Sequence, residues 1–226
     1  MKSQITKLIK STLCFGVAAL ALSGSAGATR AYASDRDSDS KAPTTILTAF
    51  EDIYWRWTFG NITLPTDQNG NAVVGGVALM PLPNAPGDGT PASIDVTLKA
   101  GEPFFLPLIG LLGTSYTDGT PPDPMVDRNV FGKANLILTL KLDGKTILDE
   151  GDALDHYTQI TFDPPIPLNS PPVDAIIYSQ GIAILHAPLA VGKHVLKLDV
   201  KLPVALFGVT FEYHNTFNIT VKAAGH

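Results

Sequence analysis

The stretch at residues 207–221, "FGVTFEYHNTFNITV", changes character at every step. Phe207, Val209, Phe211, Tyr213, Phe217, Ile219 and Val221 share one parity; Thr210, Glu212, His214, Thr216, Asn218 and Thr220 take the other. Successive side chains of a strand point to opposite faces, so a period of two held this long demands a strand, or two joined by a bend, with one buried face. The same alternation recurs in "SIDVTLKAG" through Ile94, Val96 and Leu98, and in "HVLKLDVKL" through Leu196, Leu198, Val200 and Leu202. In "NLILTLKLDGKTIL", Leu136, Leu138, Leu140 and Leu142 form one face, and Asp143-Gly144 then favours the type I′ turn that matches strand twist. A two-residue turn there sets Ile147 opposite Leu140 on the core face. "DAIIYSQGIAILHAPL" has room for two more strands around Gln180-Gly181.

Helical periodicity is scarce. "TTILTAFEDIYWRW" fits either element: Phe50, Ile53 and Trp57 suit a helix, whereas Ile53, Trp55, Trp57 and Phe59 suit a strand. Many short strands, with 18 prolines and 20 glycines, point to an all-β fold with few or no helices. The expectation is an antiparallel β-sandwich, immunoglobulin-like or jelly-roll-like, with a closed barrel as its nearest competitor.

The start of the chain reads as a targeting segment. Lys2, Lys7 and Lys10 precede the short apolar run Leu13 to Leu22, and small-residue cleavage sites follow at Ala26-Gly27-Ala28 and Ala31-Tyr32-Ala33. That order is a secretory signal peptide over residues 1–33; the apolar run is too short to cross a bilayer, and no later stretch could span one. Cys14, the only cysteine, lies within it, so the mature chain has no thiol and no disulfide. Residues 34–45 are polar and charged and read as a disordered segment; residues 46–226 read as one β-sandwich domain. Removing the leader lowers Lys plus Arg from 16 to 12 and leaves Asp plus Glu at 21, so the formal charge falls from −5 to −9. An acidic protein repels phosphate backbones, which argues against nucleic acid as a partner.

Few segments invite chemistry. In "GTSYTDGTPPDPMVDRN", Asp118, Asp123 and Asp127 are hard oxygen ligands of the kind calcium prefers, yet the spacing does not fit an EF-hand. Aspartate, glycine and proline also build turns, and the turn reading is preferred, with calcium as the cofactor to consider. Asp67, Asn69 and Asn71 have the spacing of a calcium-loop start, but Ala72 and Ala78 replace its glycine and glutamate, and Asn69-Gly70 is itself a turn signal. Asp149, Glu150, Asp152 and Asp155 cluster beside His156, and acids of this run or of the 118–127 loop offer carboxylates for a cation-dependent hydrolase, the second alternative reading. His194 and His214 fall on opposite parities of their strands, so they form no shared metal site with His186. On a strand, Trp55, Trp57 and Phe59 would line one face and could stack on sugar rings, although large aromatics more often anchor a core.

"YWRW", "PFFLPLIG", "PLAVGKHVLKL" and the closing "YHNTFNITV" together resemble uncharacterised secreted bacterial β-sandwich proteins, and the last two strands are similar to the end of immunoglobulin-like adhesin modules. The first resemblance spans most of the mature chain. Neither brings an activity, and no functional residue is carried over. The reading is therefore a secreted, periplasmic or extracellular, non-catalytic binding or structural protein. A cell-envelope protein or a glycan is the partner class. "TFDPPIPLNSPPVD" is a candidate partner-facing rim. A carbohydrate-binding module using Trp55, Trp57 and Phe59 is the first alternative. If the leader is processed as read, mass spectrometry of the exported protein will find Ser34 as its first residue; an intact Met1 overturns the assignment.

Overall fold

A computed structural model describes residues 42–83, 87–133, 135–202 and 211–223. The expected signal peptide, most of the expected disordered segment and the first part of the alternating 207–221 run lie outside them. The described elements are one α-helix, α1 (Thr44–Thr58), and ten strands: β1 (Val73–Val74), β2 (Val77–Leu79), β3 (Ala92–Lys99), β4 (Phe104–Tyr116), β5 (Ile137–Leu142), β6 (Lys145–Asp149), β7 (Tyr157–Ser170), β8 (Val173–His186), β9 (Gly192–Leu202) and β10 (Phe211–Lys222). Two 3-10 turns lie at Arg128–Phe131 and Ala153–His156. Among the described residues no helix is long and apolar enough to cross a membrane.

The fold is mostly β, in two five-stranded sheets ordered β1-β2-β4-β8-β7 and β3-β10-β9-β5-β6. They are mixed, which corrects the expectation of purely antiparallel pairing: β2 runs parallel to β4, and β3 parallel to β10. The connectivity explains the first of these. The chain leaves the first sheet after β2, forms β3 in the second and re-enters the first as β4, so no hairpin joins β2 to β4.

Burial explains which strands alternate in sequence. One buried cluster draws on both sheets, including Leu98, Phe104, Leu106, Leu140, Ile182, Leu198, Phe217 and Ile219. The second sheet contributes one face to it and exposes the other, so β9 reads apolar in and polar out. The central strands of the first sheet, β4 and β8, are buried on both faces. A second cluster on the far side of that sheet joins Leu47, Phe50, Tyr54 and Trp55 of α1 to Leu79, Phe105, Phe162, Ile176 and Ala183. Hence "PFFLPLIGLL" is apolar without a break.

α1 resolves the ambiguity of the tryptophan segment. Its buried side chains are Leu47, Phe50, Glu51, Tyr54 and Trp55, the i, i+3, i+4, i+7, i+8 stripe of a helix on a core. Gly60, at φ +70°, closes it: Gly60 N–H donates to Trp57 O and Asn61 N–H to Arg56 O, satisfying two terminal carbonyls. The helix begins at Thr44, inside the stretch that composition marked as disordered.

Three further expectations change. Asp143 and Gly144 do form the two-residue turn, both at positive φ, but a bulge follows. Leu148 therefore sits opposite Leu140, and Ile147 is 36% exposed. Gln180-Gly181 is no turn but the middle of the 14-residue strand β8. The proline-rich candidate rim is the second half of β7 and its junction with β8; β7 is an edge strand, where missing N–H groups are tolerated.

Gly181 is required by proximity: a Cβ there would lie 2.1 Å from Ile109 O, on the neighbouring strand's backbone. Gly110, paired with Gly181, leaves room for the Trp55 indole, whose nearest atom would stand 2.8 Å from an added Cβ. Gly181→Ala is expected to destabilise the protein by about 3 kcal/mol, because the clash is with backbone. Urea unfolding of the variant measures it, and an unchanged midpoint would refute the close approach.

Candidate functional site

The aspartate loop folds back on the sheet it leaves. Gly119, at φ +82°, turns the chain, and Asp118 accepts the Thr120 N–H across a local turn. The Asp123 N–H donates to Thr114 O at 2.9 Å. The Asp123 carboxylate accepts from Thr114 N–H (2.9 Å), Thr114 Oγ1 (2.6 Å) and Tyr116 Oη (3.0 Å). Further along, Tyr178 Oη donates to Pro124 O at 2.6 Å, and burial followed by the nearby Asp123 charge pushes that phenol up to about 12. The Gln180 amide accepts from Val126 N–H and donates to Val126 O, both at 2.9 Å, as a neighbouring strand would. Asp127 ends the run by accepting Asn129 N–H at the start of the first 3-10 turn. The three aspartates thus hold three successive points of one loop. Among the described residues no group of three acidic, histidine or cysteine side chains is arranged to hold a metal ion.

The second calcium-like spacing closes on itself. Asp67 accepts backbone N–H groups of Asn69 (2.8 Å) and Asn71 (2.9 Å), and both asparagine amides donate to its other oxygen. Partial burial alone would raise this carboxyl; the four donors bring it below the ordinary value. Asn71 Nδ2 also donates to Thr97 O at 2.6 Å, and Glu102 accepts Lys99 N–H at 3.1 Å. These two contacts occupy backbone groups of β3, an edge strand of the second sheet. A depression of about 500 Å3 lies here, lined by Asp67, Val73, Lys99 and Glu102 among others. Asp149, of the acidic run, accepts Gly151 N–H within its own turn.

The aromatic trio sits on and just beyond α1. Trp55 is 7% exposed, stacked over Gly110, while Trp57 and Phe59 are half-buried. Tyr54 Oη donates to Met80 O, tying the helix to the end of β2.

Sequence reasoning missed Glu51. It is 1% exposed, on the apolar stripe of α1, against the first sheet. Oε1 accepts from Ser179 Oγ (2.7 Å) and Trp55 Nε1 (3.1 Å); among the described residues Oε2 has no hydrogen-bond partner. Burial raises this carboxyl above its ordinary value of 4.5, against the opposing pull of its hydroxyl and indole neighbours. A buried acid without a cationic partner is better tolerated neutral than charged. The available signal was its place in the helical stripe, four residues after Leu47 and four before Trp55.

Two histidines are clamps. His194 Nδ1 meets Asp143 Oδ2 at 2.7 Å and its Nε2 meets Ala190 O at 2.9 Å, so both ring nitrogens face acceptors. Only the imidazolium donates to both, and the Asp143 contact raises the ring above its ordinary value. On the outer face of the second sheet, His214 lies between Asp199 (2.6 Å) and Glu212 (3.3 Å), and Asp199 raises it likewise.

Two predictions follow from these contacts. Glu51 keeps its proton in the folded protein at a pH where the unfolded chain has released it. Stability from this group is therefore full below about pH 4.5 and declines as pH rises through the folded value. Glu51→Gln is expected to melt above the parent at pH 8, with the gap closing toward pH 4; a gap independent of pH would refute a neutral Glu51. Asp123→Ala leaves the buried Thr114 N–H unpaired and is expected to lose about 1–3 kcal/mol in urea unfolding. No protein-family model and no curated protein matches the chain.

Proposed function

We propose that the chain is a secreted, periplasmic or extracellular, non-catalytic binding or structural protein whose two sheets pack face to face as a sandwich. The sandwich packing is supported by the buried cluster that takes Leu98, Leu140 and Leu198 from one sheet and Phe104, Leu106 and Ile182 from the other. The binding role rests on one observation. α1 covers the far face of the first sheet, whereas the outer face of the second is a broad, mainly polar surface across five strands on which Ile137 and Val195 are also exposed. A flat surface of this kind suits an extended partner better than a small molecule, which is usually held in a concave pocket.

The non-catalytic part of the reading is supported by how the loop carboxylates are used. Asp123, Asp127, Asp67 and Asp149 each accept hydrogen bonds from their own or adjoining segments. A general base needs a free lone pair aimed at a substrate. The test pairs two assays on the purified protein: hydrolysis of model glycosides, esters and phosphates with and without calcium, and retention of envelope glycans and proteins on the immobilised chain. Retention without turnover is expected. Turnover that disappears in Asp123→Asn or Glu51→Gln would replace this reading with an enzyme.

A further inference from the structure

The outer face of the second sheet has a charge pattern that its own residues leave incomplete. Thr216 of β10 pairs with Ser93 of β3 on one side and with Lys197 of β9 on the other, and Lys197 pairs with Lys141 of β5. Ser93, Thr216, Lys197 and Lys141 thus form one row across four strands, about 14 Å long at the usual strand spacing. The row is outward because its neighbours Leu140, Leu196 and Leu198 are buried in the core. Ser93, Lys197 and Lys141 are exposed.

Two ammonium groups directly opposite each other on a ladder repel, which costs stability unless an anion lies between them. Among the described residues no ion pair joins an anion to either lysine. Asp199, two residues from Lys197, is held by His214; Asp95 accepts from Asn218; Glu212 is paired with Lys201; Asp143 holds His194 and the Val195 N–H. The acids of this face are engaged, and among the described residues neither Lys141 nor Lys197 has an ion-pair partner. The row therefore presents two cations and two hydroxyls, and it does so on a chain of net charge −5.

We infer that this row is a binding track for an extended anionic polysaccharide, one whose carboxylates or sulfates lie against Lys141 and Lys197 while its hydroxyls meet Thr216 and Ser93. Charge complementarity selects an anion, and the row's length and flatness select a chain. The acidic balance of the whole protein opposes any polyanion at long range, so binding on this track rests on short-range contact with Lys141 and Lys197. The inference rests on the binding reading above and names the class of ligand.

The test is affinity electrophoresis of the purified protein through gels containing polygalacturonate, dextran sulfate or neutral dextran, with flotation on phosphatidylglycerol vesicles alongside. Retardation by polygalacturonate, dextran sulfate or both is expected, weakening with added salt and absent in neutral dextran; which polymer acts separates carboxylate from sulfate recognition. Lys141→Gln with Lys197→Gln is expected to weaken retardation about tenfold, and Lys133→Gln to leave it unchanged. Removing either facing lysine should also raise the melting temperature slightly, so the variants report like-charge relief as well as folding. Equal retardation of the double variant, no retardation by either polyanion, or binding to vesicles alone overturns the inference. Retention of a neutral glycan or a protein by the double variant would overturn the lysine track while leaving the binding reading intact.

Discussion

The backbones of β4 and β8 approach so closely that Ile109 O stands 2.1 Å from the place a Gly181 Cβ would occupy. Much else depends on that contact. Because Gly110 and Gly181 face each other, the first sheet is locally smooth, and α1 lays Trp55 across it. Because α1 sits there, the far face of the sheet is dry, and β4 and β8 bury side chains on both sides. A bulkier pair would lift the helix and wet Phe50, Tyr54 and Phe105 together, since Tyr54 and Phe105 rings are in contact and Phe50 stacks on Phe105.

Polar groups serve this architecture mainly by fixing loops. Asp67, Asp127 and Asp149 accept N–H groups of their own turns, and Asp123 and Asp143 accept N–H groups of the strands they lie against. Gln180 copies a strand's hydrogen bonding with its side chain and so holds a proline-rich segment that cannot pair as a strand itself. Glu51 differs in kind. It lies within the helix–sheet contact with one oxygen unpartnered among the described residues, a local cost compatible with a protonated carboxyl.

How much of this was legible in the sequence follows from burial. β9, β10 and the β5–β6 hairpin bury one face only, so their period of two is plain in the residues. β4 and β8 are covered twice and lose that period, which hid β8 as one strand and made Gln180-Gly181 resemble a turn. The bulge at Ile147 is a one-residue register shift that no periodicity encodes. α1 was ambiguous because a glutamate occupies its apolar stripe, and counting Glu51 as polar breaks the helical pattern. Asp67, Asp118, Asp127 and Asp149 were legible as turn formers, since each accepts an N–H two to four positions on; the contact of Asp123 with Thr114, nine positions back, was not. The pairing of Lys141 with Lys197 was not, because it joins strands 56 residues apart through a register that only the folded sheet defines.

The hydrogen bond between Ser179 and Glu51 joins residues 128 positions apart. A helix needs only its own neighbours to form, but the seat of α1 does not exist until β8 has paired with β4. During synthesis the aromatic stripe of α1 therefore emerges early and waits through more than a hundred further residues for the surface that covers it. Such non-local closure slows folding, and it leaves Phe50, Tyr54 and Trp55 as a greasy, unclaimed ridge on the nascent chain.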